Sequence, residues 1–442
     1  MAERAELLSG WGRTAPTCAF VFRPRTTAEL AAAVATAGPR GVLARGLGRS
    51  YGDAAQNAGG WVLDLAHFDS IGPVDPASGQ VTCGAGASID ALLRRTVREG
   101  WFVPVSPGTR QVTLGGAVAA DVHGKNHHRD GSLGAHVTRL ELVDGQGELR
   151  TLTPADELFR ATVAGLGLTG VITTVSLQMI PISSAWLAVD TRRTADLEET
   201  MSALADLDAR RRYSVAWIDC LAGGTAVGRG VVTAGDHLAG DDIDDPLAFA
   251  PKQRASVPAL VPSGVLGRRR MALFNEAFHR AAPRSADNVP TRGAAFFHPL
   301  DALDRWNRLY GTGGFVQYQF ASPDPASIRA VLEALRIAGV SALLGVLKRF
   351  GPGGDAHLSF PLAGWTLAVD IPARTAGLGP ALDAADRLVV ESGGRVYLAK
   401  DARMAPDTVE AMYPRLADWR AVRAAADPRG VFTSDLARRL RL

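Results

Sequence analysis

Along the chain the apolar positions fall into two rhythms. In TTAELAAAVATAG (26–38) and SIDALLRRTVREG (88–100) they recur at helical spacing, with Thr27 and Glu29 near the start of the first and Ser88 capping the second. Around them lie short β-branched or apolar runs that predict strands: GVLAR (41–45), WVLDL (61–65), QVTCG (80–84) and WFVPV (101–105). VTRLELV and ELRTL flank DGQG and predict a hairpin over 137–152. Helices and strands do not alternate as regular βαβ units, so the pattern predicts an α+β fold.

After about residue 184 the strands lengthen: YSVAWID, GFVQYQF, SALLGVLKRF and WTLAVDI, interrupted by helical stretches such as PASIRAVLEALRIAG. That texture predicts an antiparallel sheet with helices on one face. Residues 240–292, with DDIDD, scattered prolines and RRR, carry the weakest pattern and are the expected mobile loop or lid. No internal repeat is visible.

Composition then narrows the class. The 442 residues, 47% hydrophobic and 21% charged, can bury a large core and predict two or three domains. A net charge of +3 is too small for a nucleic-acid-binding surface; the runs Arg210–Arg212 and Arg268–Arg270 read first as solvated faces, with anionic lipid as the alternative. Cys18, Cys83 and Cys220 are widely spaced and are expected as reduced thiols. The first sixteen residues lack the apolar stretch of a signal peptide and no run is long enough to cross a bilayer, so any membrane contact is expected to be peripheral.

Four glycine-containing stretches are the candidates for chemistry. ARGLGRSYGD (44–53) and PGTRQVTLGG (107–116) each present backbone N–H groups at close range, as an anionic group such as a pyrophosphate requires, and tight structural turns are the plainer reading of both. GLGLTG (165–170) spells a dinucleotide fingerprint, but the strand-like VITTVSLQMI follows where that fingerprint needs a helix, so a nicotinamide site is rejected. In HGKNHHRDGSLGAH (123–136), His123 and His127 have metal-like spacing, yet Gly124 and Asn126 argue against a ligand-presenting helix; a loop lining a cofactor or substrate is expected, with no metal. The basic residues are almost all arginine. Only Lys125, Lys252, Lys348 and Lys400 are lysines, which marks them as positions where a group able to lose its proton could matter.

Taken in order, ARGLGRSYGD, PGTRQVTLGGAVAADVHGKNHH, GLTGVI and VYLAKDAR resemble the FAD-dependent oxidoreductases of the vanillyl-alcohol oxidase fold. GWGRTAP, FVQYQF, FGPGG and VFTSDLARRL resemble, more closely, the branch of that family that oxidises decaprenylphosphoryl-ribose as the flavoprotein half of a 2′-epimerase serving actinobacterial cell-wall arabinan. The resemblance implies an FAD-binding domain over 1–184, a substrate domain over 185–394 and a C-terminal segment, 395–442, completing the first. It further implies a short-chain-dehydrogenase-type NAD(P)H reductase as partner and a place at the cell envelope.

By the same resemblance Ala44, Arg45, Gly46, Leu47, Gly48, Arg49, Ser50, Tyr51, Gly52, Asp53 and Ala54 cradle the FAD pyrophosphate, faced by Gly108, Thr113, Leu114, Gly115 and Gly116. Ala120, Asp121, Val122 and His123 run beside the isoalloxazine, Ile172 near the adenine, and Tyr397 closes the site. Many relatives carry at position 49 a histidine bonded to the flavin; Arg49 implies noncovalent FAD. Lys400, in a VYLAKD strand, and His123 are the expected catalytic residues, with Lys400 as base or, failing that, as a charged hydrogen-bond donor.

Strand alternation puts Gln317 and Gln319 on one face of GFVQYQF, and Lys348 on a face with Leu344 and Val346. With Lys125, Trp217 and Tyr310 they are the expected substrate contacts, unless these faces are merely solvated. Ala368 and Thr366 stand where well-known members carry cysteine and asparagine, which implies that thiol-directed inhibitors will not bond here. A soluble sugar-alcohol or aldonolactone oxidase, or a non-catalytic flavin-binding scaffold, are the alternatives.

Overall fold

A computed structural model describes residues 4–241, 243–262 and 265–442. The first helix, Thr27–Ala35, is capped by Thr26, whose side chain accepts from Glu29 N while the Glu29 carboxylate accepts from Arg25 N. Ser88 caps Ile89–Thr96 by accepting from Ala91 N. Both helices begin at side chains that replace missing backbone partners.

Two small sheets build the N-terminal half. Arg4–Leu8, Thr17–Phe22, Trp61–Asp64 and Val42–Arg45 form a four-stranded mixed sheet in that order, and Gln80–Gly84, Val171–Gln178, Val137–Val143 and Leu149–Leu152 an antiparallel one. Val171–Gln178 follows GLGLTG directly as a strand, so the glycines there open no helix. WFVPV yields a strand of only two residues, Trp101–Phe102.

The second half is an eight-stranded antiparallel sheet ordered Ser285–Arg292, Trp186–Thr194, Gly230–His237, Tyr213–Ile218, Leu344–Phe350, Gly364–Pro372, Phe315–Ser322 and Arg395–Val396. The helices Leu197–Asp208, Ala326–Ile337 and Leu378–Glu391 cover one face. Alternation sends Tyr318 towards them, where its hydroxyl donates to Asp386, and sends Gln317 and Gln319 to the opposite face.

Three expectations need correction. Residues 268–292 are regular: a 14-residue helix, Arg268–Ala281, followed by the edge strand Ser285–Arg292; residues 242, 263 and 264 of the expected loop lie outside the described residues. VYLAKD is not a strand, because pairing stops at Val396 and Leu398–Lys400 forms a 3₁₀ turn; Arg395 and Val396 therefore belong to the sheet of the substrate half. The run at 210–212 is not a simple solvated face, since Arg211 pairs with Asp190 at 2.9 Å and Arg212 with Asp130 at 2.7 Å.

The C-terminus folds back on the first half. Arg439 bonds Asp53 at 2.7 Å and Asp401 at 2.8 Å, joining the last helix, Asp435–Leu440, to the first glycine loop. Among the described residues no helix is long and apolar enough to cross a membrane.

Candidate active site

Between the glycine loops and the uncovered face of the large sheet lies a cavity of about 340 Å³. Its first wall is Ala44–Tyr51, with Ala54 behind it. Gly46 packs so closely on the second loop that a Cβ would come 2.1 Å from Thr113 Oγ1, and Gly48 adopts φ +63°, a conformation glycine holds without strain. Arg45 donates to the carbonyls of Ser9 and Ala55, and Arg49 to Leu47 O while stacking on Trp11 at 4.3 Å. Among the described residues neither guanidinium has a carboxylate within ion-pair distance. Burial lowers the pKa of both, opposed by Asp64 at Arg45 and by Asp301 and Asp304 at Arg49, and both remain charged, so two cations face the cavity. Gly52 and Asp53 do not line the cavity. Gly52 abuts Asp401 O, and Asp53 holds Arg439.

The facing wall is Pro107–Gly116. Gly108 is open to the cavity, and Thr113 Oγ1 accepts from Gly116 N at 3.3 Å. Gly115 and Gly116 line the space; Leu114 is fully buried behind it. This loop is held from the other half of the chain: Asp301 accepts from Thr109 Oγ1 at 2.6 Å, from Arg110 N at 2.9 Å and from Arg110 Nη1 at 3.2 Å. Sequence reading missed Asp301, together with Asp304 and Trp306 of the same wall. It lies in a single 3₁₀ turn, Pro299–Ala302, too short to show periodicity, so no local signal could have found it.

The sheet supplies the polar floor. Gln317, Gln319, Leu344, Val346, Lys348, Ala368 and Asp370 line it, with Tyr397, Ala399 and Lys400 from the turn beyond. Gln317, Gln319, Ala368 and Asp370 are buried and Leu344, Val346 and Lys348 half-buried, all lining the cavity, so the solvated-face alternative is set aside. Gln319 Nε2 donates to His123 Nε2 at 2.9 Å and to Thr366 Oγ1 at 3.1 Å, and Thr366 donates to Phe320 O at 2.8 Å. Gln317 donates to Asp370, which also receives the Tyr310 hydroxyl at 3.4 Å. Asp370 was missed although alternation places it on one face with Thr366 and Ala368.

Burial sets the protonation of this floor. It lowers Lys400 to about 8, opposed by Asp370, and Lys348 to about 7, helped by Lys400 and Lys125. Burial also lifts Asp370 to about 6, and with the two lysines it holds His123 well below the ordinary histidine range. Lys400 Nζ lies 5.1 Å above the Tyr51 ring.

The remaining predicted residues divide. Ala120, Val122, His123, Ile172 and Tyr397 line the cavity, and the Tyr397 hydroxyl donates to Ala120 O at 2.6 Å. Asp121 instead turns inward at φ +41° and accepts from Gly134 N. Lys125 donates to Phe296 O at 2.6 Å, outside the cavity, and Tyr310 stacks on Phe315 and reaches the floor only through Asp370. Trp217 lies beyond the cavity on the same sheet face, its ring 4.8 Å from Phe278. The imidazoles of His123 and His127 flank Phe350 at 5.0 and 4.3 Å, and among the described residues no cluster of three ligands could hold a metal.

Buried polar atoms without a protein partner converge here: His123 Nδ1, Gln317 Oε1 and Gln319 Oε1. Together with the glycine-floored groove and the guanidiniums of Arg45 and Arg49, they fit a long, partly anionic, polar-headed cofactor. A family described as FAD binding domain matches residues 18–153, and one described as D-arabinono-1,4-lactone oxidase matches 379–440. Fold and site thus define an FAD-dependent oxidoreductase of the vanillyl-alcohol oxidase type.

The chain is 42% identical to the decaprenylphosphoryl-β-D-ribose oxidase of Mycolicibacterium smegmatis, over 98% of this chain and 97% of that protein. It is 28% identical to an alditol oxidase of a Streptomyces species over 98% of each chain, and 24% identical to an L-gulono-1,4-lactone dehydrogenase of Mycobacterium tuberculosis over 95% of each. The chain belongs to the decaprenylphosphoryl-β-D-ribose oxidase family.

Proposed function

We propose that the protein oxidises the C2′ hydroxyl of a polyprenylphosphoryl-ribose to the ketone, the first half of an epimerisation to the arabinose configuration. The observation that carries this reading is the 42% identity across essentially the whole chain, together with a buried floor of Gln317, Gln319, Lys348 and Lys400 suited to a sugar bearing a phosphate. Bound FAD supplies the acceptor for the hydride that leaves C2′. Arg45, Arg49 and the backbone of Gly46, Gly48, Gly108 and Gly116 hold its diphosphate, and Arg49, which cannot act as a nucleophile, leaves it noncovalent.

Lys400 takes the hydroxyl proton as hydride departs, its lowered pKa providing neutral amine near neutral pH. His123 stays neutral and donates from Nδ1 to an oxygen of the bound substrate or cofactor. Lys348 faces the phosphate, Gln317 and Gln319 the sugar hydroxyls. Asp370 orients Gln317 and keeps a negative charge available to Lys400. A short-chain-dehydrogenase-type reductase using NAD(P)H is proposed to reduce the ketone afterwards, and the site of action is proposed to be the cell envelope.

The lactone-oxidase match over 379–440 favours a second reading, oxidation of small polyols or aldonolactones. Anaerobic absorbance titration separates the two. Bleaching of the flavin band by farnesylphosphoryl ribose, and not by xylitol or gulonolactone, supports the lipid-sugar reaction; the reverse supports the second reading.

A further inference from the structure

The Arg268–Ala281 helix is packed inside out. Of its fourteen residues only Asn275 is buried. The helix is tethered through polar groups: Asn275 donates to Asp219 at 2.8 Å, Glu276 pairs with Arg229 at 2.6 Å, and His279 bonds Thr194 O at 2.9 Å. Leu273 at 73% and Phe274 at 57% exposure point away, and Phe278, which touches Trp217, is still 43% exposed, which the hydrophobic effect penalises unless something covers them. Four arginines (268, 269, 270 and 280) stand against the single Glu276, and Lys252 and Arg254 are exposed in the segment before it.

An apolar track joins this face to the cavity. Val346 lines the cavity, its cross-strand partner is Trp217, Trp217 packs edge-on against Phe278, and Phe278 stacks with Phe274 at 6.1 Å. From this we infer that the Arg268–Ala281 helix docks in the interface of an anionic lipid bilayer, Leu273 and Phe274 entering the acyl boundary and the arginines meeting lipid phosphate, with the track guiding the substrate's hydrocarbon chain between bilayer and cavity. Apolar side chains beside an excess of arginine are the signature of an interfacial helix. Only the role given to the track rests on the function proposed above.

The test is flotation of the FAD-loaded protein with vesicles of phosphatidylcholine alone or mixed with phosphatidylglycerol, at low and high salt. Binding is expected to the anionic vesicles only, and to weaken as salt screens the arginines. Replacing Leu273→Ser, or both Arg268→Glu and Arg269→Glu, should weaken it about tenfold, with flavin bleaching by a water-soluble short-chain phosphoryl ribose unchanged. The inference is overturned if the native protein stays out of the anionic vesicles, binds both kinds equally, or self-associates through this face in sedimentation, or if the variants float like the native protein. Vesicle binding without bleaching keeps the docking and sinks the proposed reaction; bleaching without vesicle binding does the opposite.

Discussion

Gln319 and His123 fix one another: with Thr366 accepting its other amide hydrogen, Gln319 donates to His123 Nε2 at 2.9 Å, so the imidazole carries its one proton on Nδ1. Nδ1 is buried and has no partner in the protein, which leaves a donor pointing into the site. The chain begins at Phe320 O, to which Thr366 donates. A backbone carbonyl of the sheet thus sets the tautomer of a histidine contributed by the first half of the chain.

Thr366→Val therefore frees the Gln319 amide to rotate while leaving the sheet intact. Losing one such hydrogen bond is worth about 1 kcal/mol, so anaerobic flavin reduction is expected to slow several-fold, with Thr366→Ser restoring it. Stopped-flow reduction of the three proteins checks this, and equal rates would show that the chain does not matter to the reaction.

With Lys400 lowered to about 8, the neutral amine gains as pH rises, so flavin reduction should accelerate with pH and level off above about 8. His123, held far below its ordinary range, should add no inflection between pH 5 and 7. Lys400→Met is expected to lose about 10²–10⁴ in rate and the pH dependence with it, while FAD stays bound. A rise in rate through about pH 8 that survives in Lys400→Met would assign the base elsewhere.

The extent to which this site was legible varies with the kind of contact. Gln317, Gln319 and Lys348 could be placed because strand alternation is a two-residue rule and the buried face follows from it. The same rule reaches Asp370 from Ala368, although a lone aspartate near a strand end carries no further mark. Lys400 was found by composition and resemblance even though its strand is a turn, because local pairing ends where Val396 runs out of partner. The Arg268–Ala281 helix escaped because its apolar side chains face outward, so burial periodicity is absent. Asp301 was invisible because its partners lie about 190 positions away and only the folded chain brings them together.

Asp301→Asn tests that long-range clamp. Asparagine keeps one acceptor but removes the charge that Arg110 shares with Asp90 and Asp301, and hydrogen bonds to charged groups are worth about 1.5–3 kcal/mol. The Pro107–Arg110 loop should loosen, and FAD affinity should fall about tenfold or more. Titration of the apoprotein with FAD, followed by flavin fluorescence, measures this directly. An unchanged Kd would mean that the loop is held by its own turns.

The buried lysines also tie stability to pH. Lys125 is lowered by burial to about 7, against an ordinary 10.5, so between these values the unfolded chain holds a proton that the folded chain has released. Stability then rises with pH through this window and is lost as pH falls towards 7, at up to about 1.4 kcal/mol per pH unit for each such lysine. Lys348 and Lys400 act in the same direction, whereas Cys83 and Cys220, raised by burial, and the buried tyrosines oppose it from about pH 9 upward. Urea unfolding between pH 7 and 8.5 should therefore show stability climbing. Lys125→Met, outside the cavity lining and able to keep the packing against Phe296, should reduce the slope by about a third; an unchanged slope would place the Lys125 amine in contact with water.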